Sequence, residues 1–255
     1  MFDFDRFIAS GEKYKSSKNL QYLIAENLWD KEFLNKINDE INIFTNWDGI
    51  KKFYGSEGKR YCNNAEKLPI NVLSLINFCN SKSFLNALEE ITGEKGLIPD
   101  PYLEGGGIHS TINRGFLKMH ADFNWHKKLK LYRRLNLLIY VNPIWKEEWL
   151  GHLKFGIKKG KLIEITQSIA PTFNKTVLFT TTDSSYHGHP DKLNAPKGIS
   201  RNSIAIYYYL SKKPSRTARF KRLSTKYIGV KNDLRILNKI KSKLKKITNN
   251  FFKIR

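Results

Sequence analysis

Short segments with the composition of β-strands follow one another from Gly105 onward, and they restrict the fold more than any other feature. Runs rich in Ile, Leu, Val, Tyr and Phe recur about every ten residues and are separated by turn residues. The candidate strands are 108–112, 116–121, 134–141, 152–157, 161–165, 176–181 and 203–210. About seven or eight strands of this kind are typical of a sandwich or jelly roll.

Helical patterns precede these strands. A short strand is predicted over 21–27, and Asp30 can cap a helix after it. The apolar residues on one face of that helix are Phe33, Leu34, Ile37 and Ile41. Two further helical patterns run through 68–92, and Gly93 can end the second. Residues 47–67 show no clear period and are predicted to form irregular loop or short strands. The fold class expected is mainly β with flanking helices (α+β).

The positive charge is concentrated towards the end of the chain. The formal net charge is +22, and residues 211–255 hold sixteen lysines or arginines against one acid, Asp233. Nucleic-acid binding by the folded part is therefore not favoured. Apolar residues at steps of three and four predict a basic amphipathic helix over 232–255. This helix could pack on its own domain, or it could contact an anionic membrane surface or an acidic partner.

The composition also restricts domain count and compartment. A chain of 255 residues is compatible with one principal core. We expect one catalytic domain over 1–215, followed over 216–255 by a basic extension that contains the amphipathic helix. No stretch approaches the length of a membrane-spanning helix, and the first residues lack the pattern of a signal peptide. Two cysteines, Cys62 and Cys79, are too few for a disulfide framework. The expected location is the cytoplasm, peripheral to a membrane if the basic helix binds one.

The string GFLKMHADFNWH (115–126) holds the first candidate site. His120 and Asp122 are two residues apart in a predicted strand, so their side chains point to the same face and can reach one metal ion. Two histidines and one carboxylate leave three metal positions open, as an iron(II) oxygenase requires. The competing interpretation is a surface strand with a solvated aspartate, and a third ligand must come from elsewhere in the chain.

A later segment, TTDSSYHGHPDKLNAPKGISRNSIAIYYYL (181–210), offers that ligand. His187 lies before a predicted turn, and Arg201 opens an apolar strand. An unpaired guanidinium in an apolar core is costly, so Arg201 requires an anion. A dicarboxylate co-substrate would provide one.

These residues resemble the 2-oxoglutarate and Fe(II)-dependent dioxygenases, in the branch similar to prolyl 4-hydroxylases. Matching stretches are LEEITGEKGLIPDPYLEGGGIH (88–109), RRLNLLIYVNPIW (133–145), GHLKF (151–155), IAPTFNKTVLF (169–179) and YHGHP (186–190). The resemblance covers about residues 20–215. It implies a double-stranded β-helix, or jelly roll, with the N-terminal helices packed on one sheet.

The resemblance also implies roles for single residues. His120, Asp122 and His187 match the metal ligands, with His189 as the alternative to His187. Arg201 matches the residue that holds the C5 carboxylate of 2-oxoglutarate, although Lys197 lies nearer the common spacing. Further candidates for the co-substrate pocket are Ser203, which could assist Arg201, and Tyr140, for which core packing is the competing interpretation.

The resemblance implies a hydroxylase of unactivated C–H bonds that uses Fe(II), 2-oxoglutarate and O2, with ascorbate as a candidate reductant. A prolyl residue of a peptide or protein is the first expectation for the substrate, and a free amino acid, a sugar or a lipid is the alternative. A nucleic-acid demethylase is favoured only by charge. A non-catalytic binding module is disfavoured because all ligand types and the arginine are retained.

Overall fold

The structure is a computed structural model that describes residues 2–16, 20–214 and 221–230. Within these ranges it contains the helices α1 (Phe4–Ala9), α2 (Gly11–Ser16), α3 (Lys31–Ile43), α4 (Ile70–Cys79) and α5 (Lys82–Thr92). Its strands are β1 (Tyr22–Glu26), β2 (Gly49–Phe53), β3 (Ser56–Cys62), β4 (Ile98–Pro99), β5 (Gly107–Ala121), β6 (Trp125–His126), β7 (Leu131–Tyr140), β8 (Leu153–Lys159), β9 (Leu162–Ile169), β10 (Lys175–Thr180), β11 (Tyr186–His189), β12 (Arg201–Leu210) and β13 (Lys226–Tyr227). None of the helices in the described ranges is long and apolar enough to cross a membrane.

The strands form one antiparallel sheet that curls on itself. It runs in the order β1-β10-β7-β12-β5 and continues from β5 as β11-β8-β9. β5 belongs to both parts, because residues 107–111 pair with β12 and the later residues Leu117 and His120 pair with β11. The predicted jelly roll is therefore confirmed, and the long strand β5 joins its two halves.

A bend in β5 makes this transfer possible. Arg114 has a positive φ of 68°, and Gly115 follows it. A Cβ atom at Gly115 would lie 2.6 Å from Cγ2 of Thr111 and 2.9 Å from the carbonyl oxygen of Glu57. Only glycine fits where these strands come so close. The candidate strands 108–112 and 116–121 are thus two halves of one strand.

The helices cover one face of the sheet, as predicted. The Asp30 side chain accepts a hydrogen bond of 2.8 Å from the Phe33 backbone N–H and begins α3. Leu34 and Ile37 of that helix are fully buried, and burying each such side chain contributes about 1.5–3 kcal/mol. Gly93, with a φ of 73°, ends α5.

Several local predictions differ from the structure. The polar start contains α1 and α2, which the sequence did not predict because each helix has only six residues and is too short to show a period. Within 47–67, the predicted alternative of short strands is confirmed by the hairpin of β2 and β3, where the positive-φ Gly58 is accompanied by a register shift that interrupts the alternation of side chains. His187 lies within β11 and not before a turn.

Residues 221–230 pack on the barrel. Lys226 and Tyr227 form β13 and pair with Ala121 and His120 of β5. This segment follows the predicted domain boundary at 215/216, and the boundary itself stays a prediction. The predicted amphipathic helix over 232–255 lies outside the described residues.

Candidate active site

His120, Asp122 and His187 converge on one cavity. His120 and His187 are directly opposite each other on β5 and β11. Their Nε2 atoms lie 3.4 Å from Oδ1 and from Oδ2 of Asp122, respectively. All three side chains are buried, and their candidate ligand atoms lie within 4.8 Å of one another. Alternation along β5 brings the first two residues together, and the β5–β11 pairing supplies the third.

Backbone carbonyls orient both imidazole rings. Nδ1 of His120 lies 2.8 Å from the carbonyl oxygen of Lys118, and Nδ1 of His187 lies 2.9 Å from that of Ser185. In each ring Nδ1 therefore carries the proton and donates, which leaves the lone pair of Nε2 facing Asp122 and the cavity. Burial lowers the pKa of His120, with His187 adding to the effect, so this ring is kept neutral.

Asp122 is held in its ionised form. Burial alone would raise the pKa of its carboxyl group, but Arg133, His187 and His120 overcome this effect and hold the pKa well below its ordinary value. Nη2 of Arg133 lies 2.9 Å from Oδ2, and Nδ2 of Asn136 donates to the same oxygen at 2.8 Å. A buried carboxylate is acceptable only with such partners.

The sequence analysis did not predict the roles of Arg133 and Asn136. Arg133 also donates through Nε to Oδ1 of Asn136 at 2.8 Å and lies 3.4 Å from the ring centre of Tyr207. The signal for Arg133 was available, because it opens an apolar strand in the string RRLNLLIYV, just as Arg201 opens another. The argument that a buried arginine needs an anion applies equally to both.

His187 and His189 face the same cavity, but only His187 joins the cluster. The register of β11 against β5 shifts between them. A Cβ atom on the intervening Gly188 would lie 2.6 Å from the carbonyl oxygen of Lys118, so glycine is required for this close approach. Nδ1 of His189 is buried and has no hydrogen-bond partner within the described part of the chain. Among the same residues, the candidate metal-binding group contains His120, Asp122 and His187 and excludes His189.

Arg201 and Ser203 line this cavity from β12. Arg201 is only 4% exposed. It donates to the carbonyl oxygen of Gly151 at 2.6 Å and to the Tyr140 hydroxyl at 2.9 Å. Tyr140 is buried directly opposite Ser203 and contacts Arg201, but it is not among the residues that line the cavity. Lys197 lies in an exposed turn, so the structure places Arg201 and not Lys197 beside the cluster.

The other histidines have different environments. His109 lines the cavity, with Nε2 3.0 Å from the carbonyl oxygen of Gly105. His126 is fully buried, and its Nε2 lies 3.3 Å from a carboxylate oxygen of Asp100. His152 is also buried and lies 3.0 Å from Glu147 at the start of β8.

The donor set fits a divalent iron ion. Two neutral imidazole nitrogens and one ionised carboxylate are the ligands of the non-haem Fe(II) oxygenases, and they leave positions for a chelating co-substrate and for oxygen. The cavity of about 230 Å³ contains both this group and the Arg201 guanidinium. A dicarboxylate could therefore contact the metal at one end and Arg201 at the other.

Comparison with known proteins leads to the same class. Residues 107–209 match the family model described as the 2OG-Fe(II) oxygenase superfamily. No curated protein sequence matches the chain. The matched range runs from the first residue of β5 almost to the end of β12, so it contains every candidate site residue.

Solved structures share the fold. A prolyl-4-hydroxylase from Pseudomonas putida is 10% identical over 81% of this chain and 100% of its own, with a TM-score of 0.54. A prolyl hydroxylase from Trichoplax adhaerens, in complex with a hypoxia inducible factor peptide, is 13% identical over 81% and 88%, with a TM-score of 0.55. HygX from Streptomyces hygroscopicus, with nickel and 2-oxoglutarate bound, is 12% identical over 85% and 96%, with a TM-score of 0.55.

The family match confirms the resemblance to the 2-oxoglutarate and Fe(II)-dependent dioxygenases, and the fold agrees with the prolyl 4-hydroxylase-like branch. The chain carries a 2OG-Fe(II) oxygenase domain. This domain, residues 107–209, matches a class of enzymes that use Fe(II) and 2-oxoglutarate, and His120, Asp122 and His187 lie close enough together to hold one metal ion.

Proposed function

We propose that this oxygenase hydroxylates an unactivated C–H bond, with His120, Asp122 and His187 as the ligands of Fe(II). In this proposal Arg201 binds the C5 carboxylate of 2-oxoglutarate, assisted by Tyr140 and Ser203. The observation that supports it most directly is the orientation of both histidines. Their Nδ1 atoms are engaged by carbonyl oxygens, and their Nε2 atoms both lie 3.4 Å from the Asp122 carboxylate.

The protein's own contribution is placement and exclusion of water. When bound, Fe(II) and 2-oxoglutarate would activate O2, the oxidant, with two electrons coming from conversion of 2-oxoglutarate to succinate and CO2 and two from the C–H bond; ascorbate is a candidate reductant. Arg133 and Asn136 keep the Asp122 carboxylate charged and fixed in orientation. Tyr140 shares a hydrogen bond with Arg201 and restricts the direction of the guanidinium.

A pair of substitutions on one strand tests the ligand assignment. His187→Ala removes a proposed ligand, so we expect loss of stoichiometric Fe(II) binding, whereas His189→Ala removes a buried neighbour on the same face and should retain the metal. Both variants are titrated anaerobically with Fe(II), and bound metal is measured after desalting. Retention of iron by His187→Ala together with its loss from His189→Ala would reverse the assignment.

The substrate proposed first is a prolyl residue of a peptide or protein. The resemblance to prolyl 4-hydroxylases supports this choice, and two of the structural neighbours are prolyl hydroxylases. A small molecule is the second candidate, because the fold is shared with HygX, which has been solved with hygromycin B bound. Both candidate substrates would be hydroxylated by the same site, and they differ in whether a peptide or a small molecule enters the cavity.

A substrate panel distinguishes these two candidates. Succinate formation above the substrate-free rate is measured with proline-containing peptides, free amino acids, sugars and lipids, and products are examined by mass spectrometry. A peptide that gains the mass of one oxygen atom on proline supports the first candidate. Oxygen insertion confined to a small molecule would replace it with the second.

A further inference from the structure

A row of cationic side chains crosses the wall of the cavity. Lys51 on β2 is directly opposite Lys59 on β3, Lys59 is opposite Thr111 on β5, and Thr111 is opposite Arg201 on β12. Directly opposite residues on antiparallel strands point to the same face, with Cβ atoms about 4.5–5.5 Å apart. Lys51, Lys59 and Arg201 all line the cavity that contains the candidate iron ligands.

The two lysines lack an acidic partner. Like charges directly opposite each other destabilise a strand pair, and within the described ranges neither Lys51 nor Lys59 forms a salt bridge. Lys51 instead lies over the ring of Tyr61, 4.2 Å from its centre. The next cross-strand pair of the hairpin, Lys52 opposite Glu57, is exposed and combines opposite charges. The exposed pair Lys52–Glu57 thus combines opposite charges, whereas the cavity-facing pair Lys51–Lys59 combines like charges.

The cofactors leave this imbalance unchanged. Within the described ranges, the residues that line the cavity include one carboxylate, Asp122, and four cations. The cations are Lys51, Lys59, Arg133 and Arg201. Arg133 is paired with Asp122, and Arg201 is proposed to hold 2-oxoglutarate. The two positive charges of Fe(II) are offset by the two negative charges of that co-substrate, so binding both leaves the net charge of the cavity lining unchanged. Lys51 and Lys59 still lack an acidic partner among the lining residues.

We infer that the substrate of this oxygenase carries a phosphate or carboxylate group that binds between Lys51 and Lys59. This inference rests on the proposed function, because it assigns these lysines to the primary substrate and not to the co-substrate. The anionic group would sit at the β2–β3 hairpin, and the carbon to be hydroxylated would extend from it towards His120 and Asp122.

The environment of Lys59 supports this assignment. Burial, together with the nearby cations Arg201, Lys51 and Arg133, lowers the pKa of its ammonium group to about 7 against the opposing effect of Asp122. A lysine in a cavity whose pKa is strongly lowered by burial and by neighbouring cations is a candidate functional residue. An anion bound beside Lys59 would restore its charge and relieve the repulsion from Lys51.

The test uses protein loaded anaerobically with Fe(II) and saturating 2-oxoglutarate, so that the metal site and Arg201 are already occupied. Binding of inorganic phosphate is measured by calorimetry at pH 7 and constant ionic strength. We expect phosphate to bind the loaded wild type, and we expect the Lys51→Ala/Lys59→Ala double variant to bind it at least about tenfold more weakly. Lys52→Ala, on the outer face of the same strand, is the matched control and should bind phosphate as the wild type does.

A second variant covers the case in which the double variant does not fold. Lys51→Glu replaces the repulsive pair with an attractive one, so we expect an equal or higher thermal midpoint together with loss of phosphate binding. Equal phosphate affinity in the wild type and either variant would overturn the inference. Absence of phosphate binding to the loaded wild type would overturn it as well.

Matched ligand pairs then identify the source of the anion. Glucose 6-phosphate is compared with glucose, and a blocked Glu-Pro-Glu peptide with Gln-Pro-Gln. Preference for the first charged ligand assigns a phosphorylated small molecule, and preference for the second assigns an acidic peptide. Equal binding within both pairs would contradict an anionic substrate, and tighter binding of a single-stranded oligonucleotide than of all four would replace it with a nucleic acid.

Failure of this inference can be separated from failure of the proposed function. The same wild-type preparation is first assayed for succinate formation without substrate. Succinate formation without phosphate binding removes only the anionic-substrate inference, whereas absence of succinate removes the proposed function. If the double variant raises KM for 2-oxoglutarate as much as it weakens phosphate binding, the lysines serve the co-substrate and the inference is overturned.

Discussion

The charge of Asp122 depends on one neighbour more than on any other. Arg133 is the largest of the influences that lower the pKa of this carboxyl group, and its own side chain is 2% exposed. Its guanidinium contacts Asp122, Asn136 and the ring of Tyr207, so its position is determined from three sides. Contacts of this kind behind a metal ligand fix its orientation and raise metal affinity.

Arg133→Met should therefore weaken Fe(II) binding by about 10–100-fold. Without the guanidinium the pKa of Asp122 rises, so protons compete with the metal and the loss should be larger at pH 6 than at pH 8. Removing one partner of a buried ion pair should also lower the free energy of unfolding by about 3–5 kcal/mol. Anaerobic metal titrations at both pH values check the first effect. Arg134→Met is the control, because Arg134 pairs with Glu94 at 2.6 Å and not with Asp122; an equal loss of iron in both variants would contradict the account.

His109 makes the stability of the fold dependent on pH. Burial lowers its pKa well below the ordinary 6.5, with Lys59 as the next cause. The folded protein therefore keeps this ring neutral at pH values where the unfolded chain is protonated. Its contribution to stability is complete above about pH 6.5 and decreases as pH falls below that value.

Urea unfolding at pH 7.5 and pH 5.5 measures this effect. We expect the wild type to lose more stability between these two values than His109→Gln, which retains a donor for the Gly105 carbonyl but does not titrate. The same loss in both proteins would show that the pH dependence has another origin.

Single residues could be predicted from the sequence where a local rule applied. The spacing of His120 and Asp122 follows from the period of a strand, and Arg201 was recognisable as a charge that opens an apolar strand. Lys59 lies opposite Lys51 on one side and opposite Thr111 on the other, and Thr111 lies opposite Arg201. These positions depend on which strands become neighbours. Strand order is a property of the whole sheet, so no local pattern predicted that these cations meet.

At the scale of elements, the segment 221–230 closes part of the cavity mouth. Thr225 and Tyr227 line the cavity, and the Tyr227 ring lies 5.5 Å from that of His120. Arg222 holds this segment against the rest of the domain. Its Nε donates to the Asp122 carbonyl oxygen at 3.0 Å, and its Nη1 lies 2.9 Å from a carboxylate oxygen of Asp183. The segment was assigned to a basic extension because its composition is basic and its strand has only two residues.

Arg222→Ala should loosen this segment without changing the metal ligands. Loss of hydrogen bonds from a charged group costs about 1.5–3 kcal/mol each when they are partly buried, so we expect a lower unfolding midpoint in urea and faster proteolytic cleavage near 221–230. Lys221→Ala is the control, because Lys221 lies over the ring of Trp125 at 3.8 Å and does not contact β5. Equal proteolysis of the wild type and Arg222→Ala would show that the segment is held by other contacts.

Helices and strands could be predicted where they were long and periodic. α3 and α5, with the caps Asp30 and Gly93, followed from apolar spacing and capping residues. For the hairpin β2–β3 the sequence predicted only irregular loop or short strands, because the hairpin carries lysines on its inner face and the register shift at Gly58 interrupts the alternation. An inward-facing charge is unfavourable for folding alone, which is consistent with a binding role for that face.

At the scale of the whole molecule, one curled sheet and its long strand β5 bring distant parts of the chain to one cavity. The iron ligands are separated by more than sixty residues between Asp122 and His187, and they meet because β11 pairs with the second half of β5. The helices cover the opposite face and stabilise the sheet without contributing ligands. Contact of residues 232–255 with an anionic membrane or an acidic partner stays a prediction from the sequence.

The most direct test of the central claim is oxygen-dependent conversion of 2-oxoglutarate to succinate by the purified chain with added Fe(II). The wild type should form succinate that depends on both iron and oxygen, and Asp122→Ala should form none above the enzyme-free control. Succinate formation by Asp122→Ala at the wild-type rate, or its absence from wild-type protein with iron bound, would contradict the account.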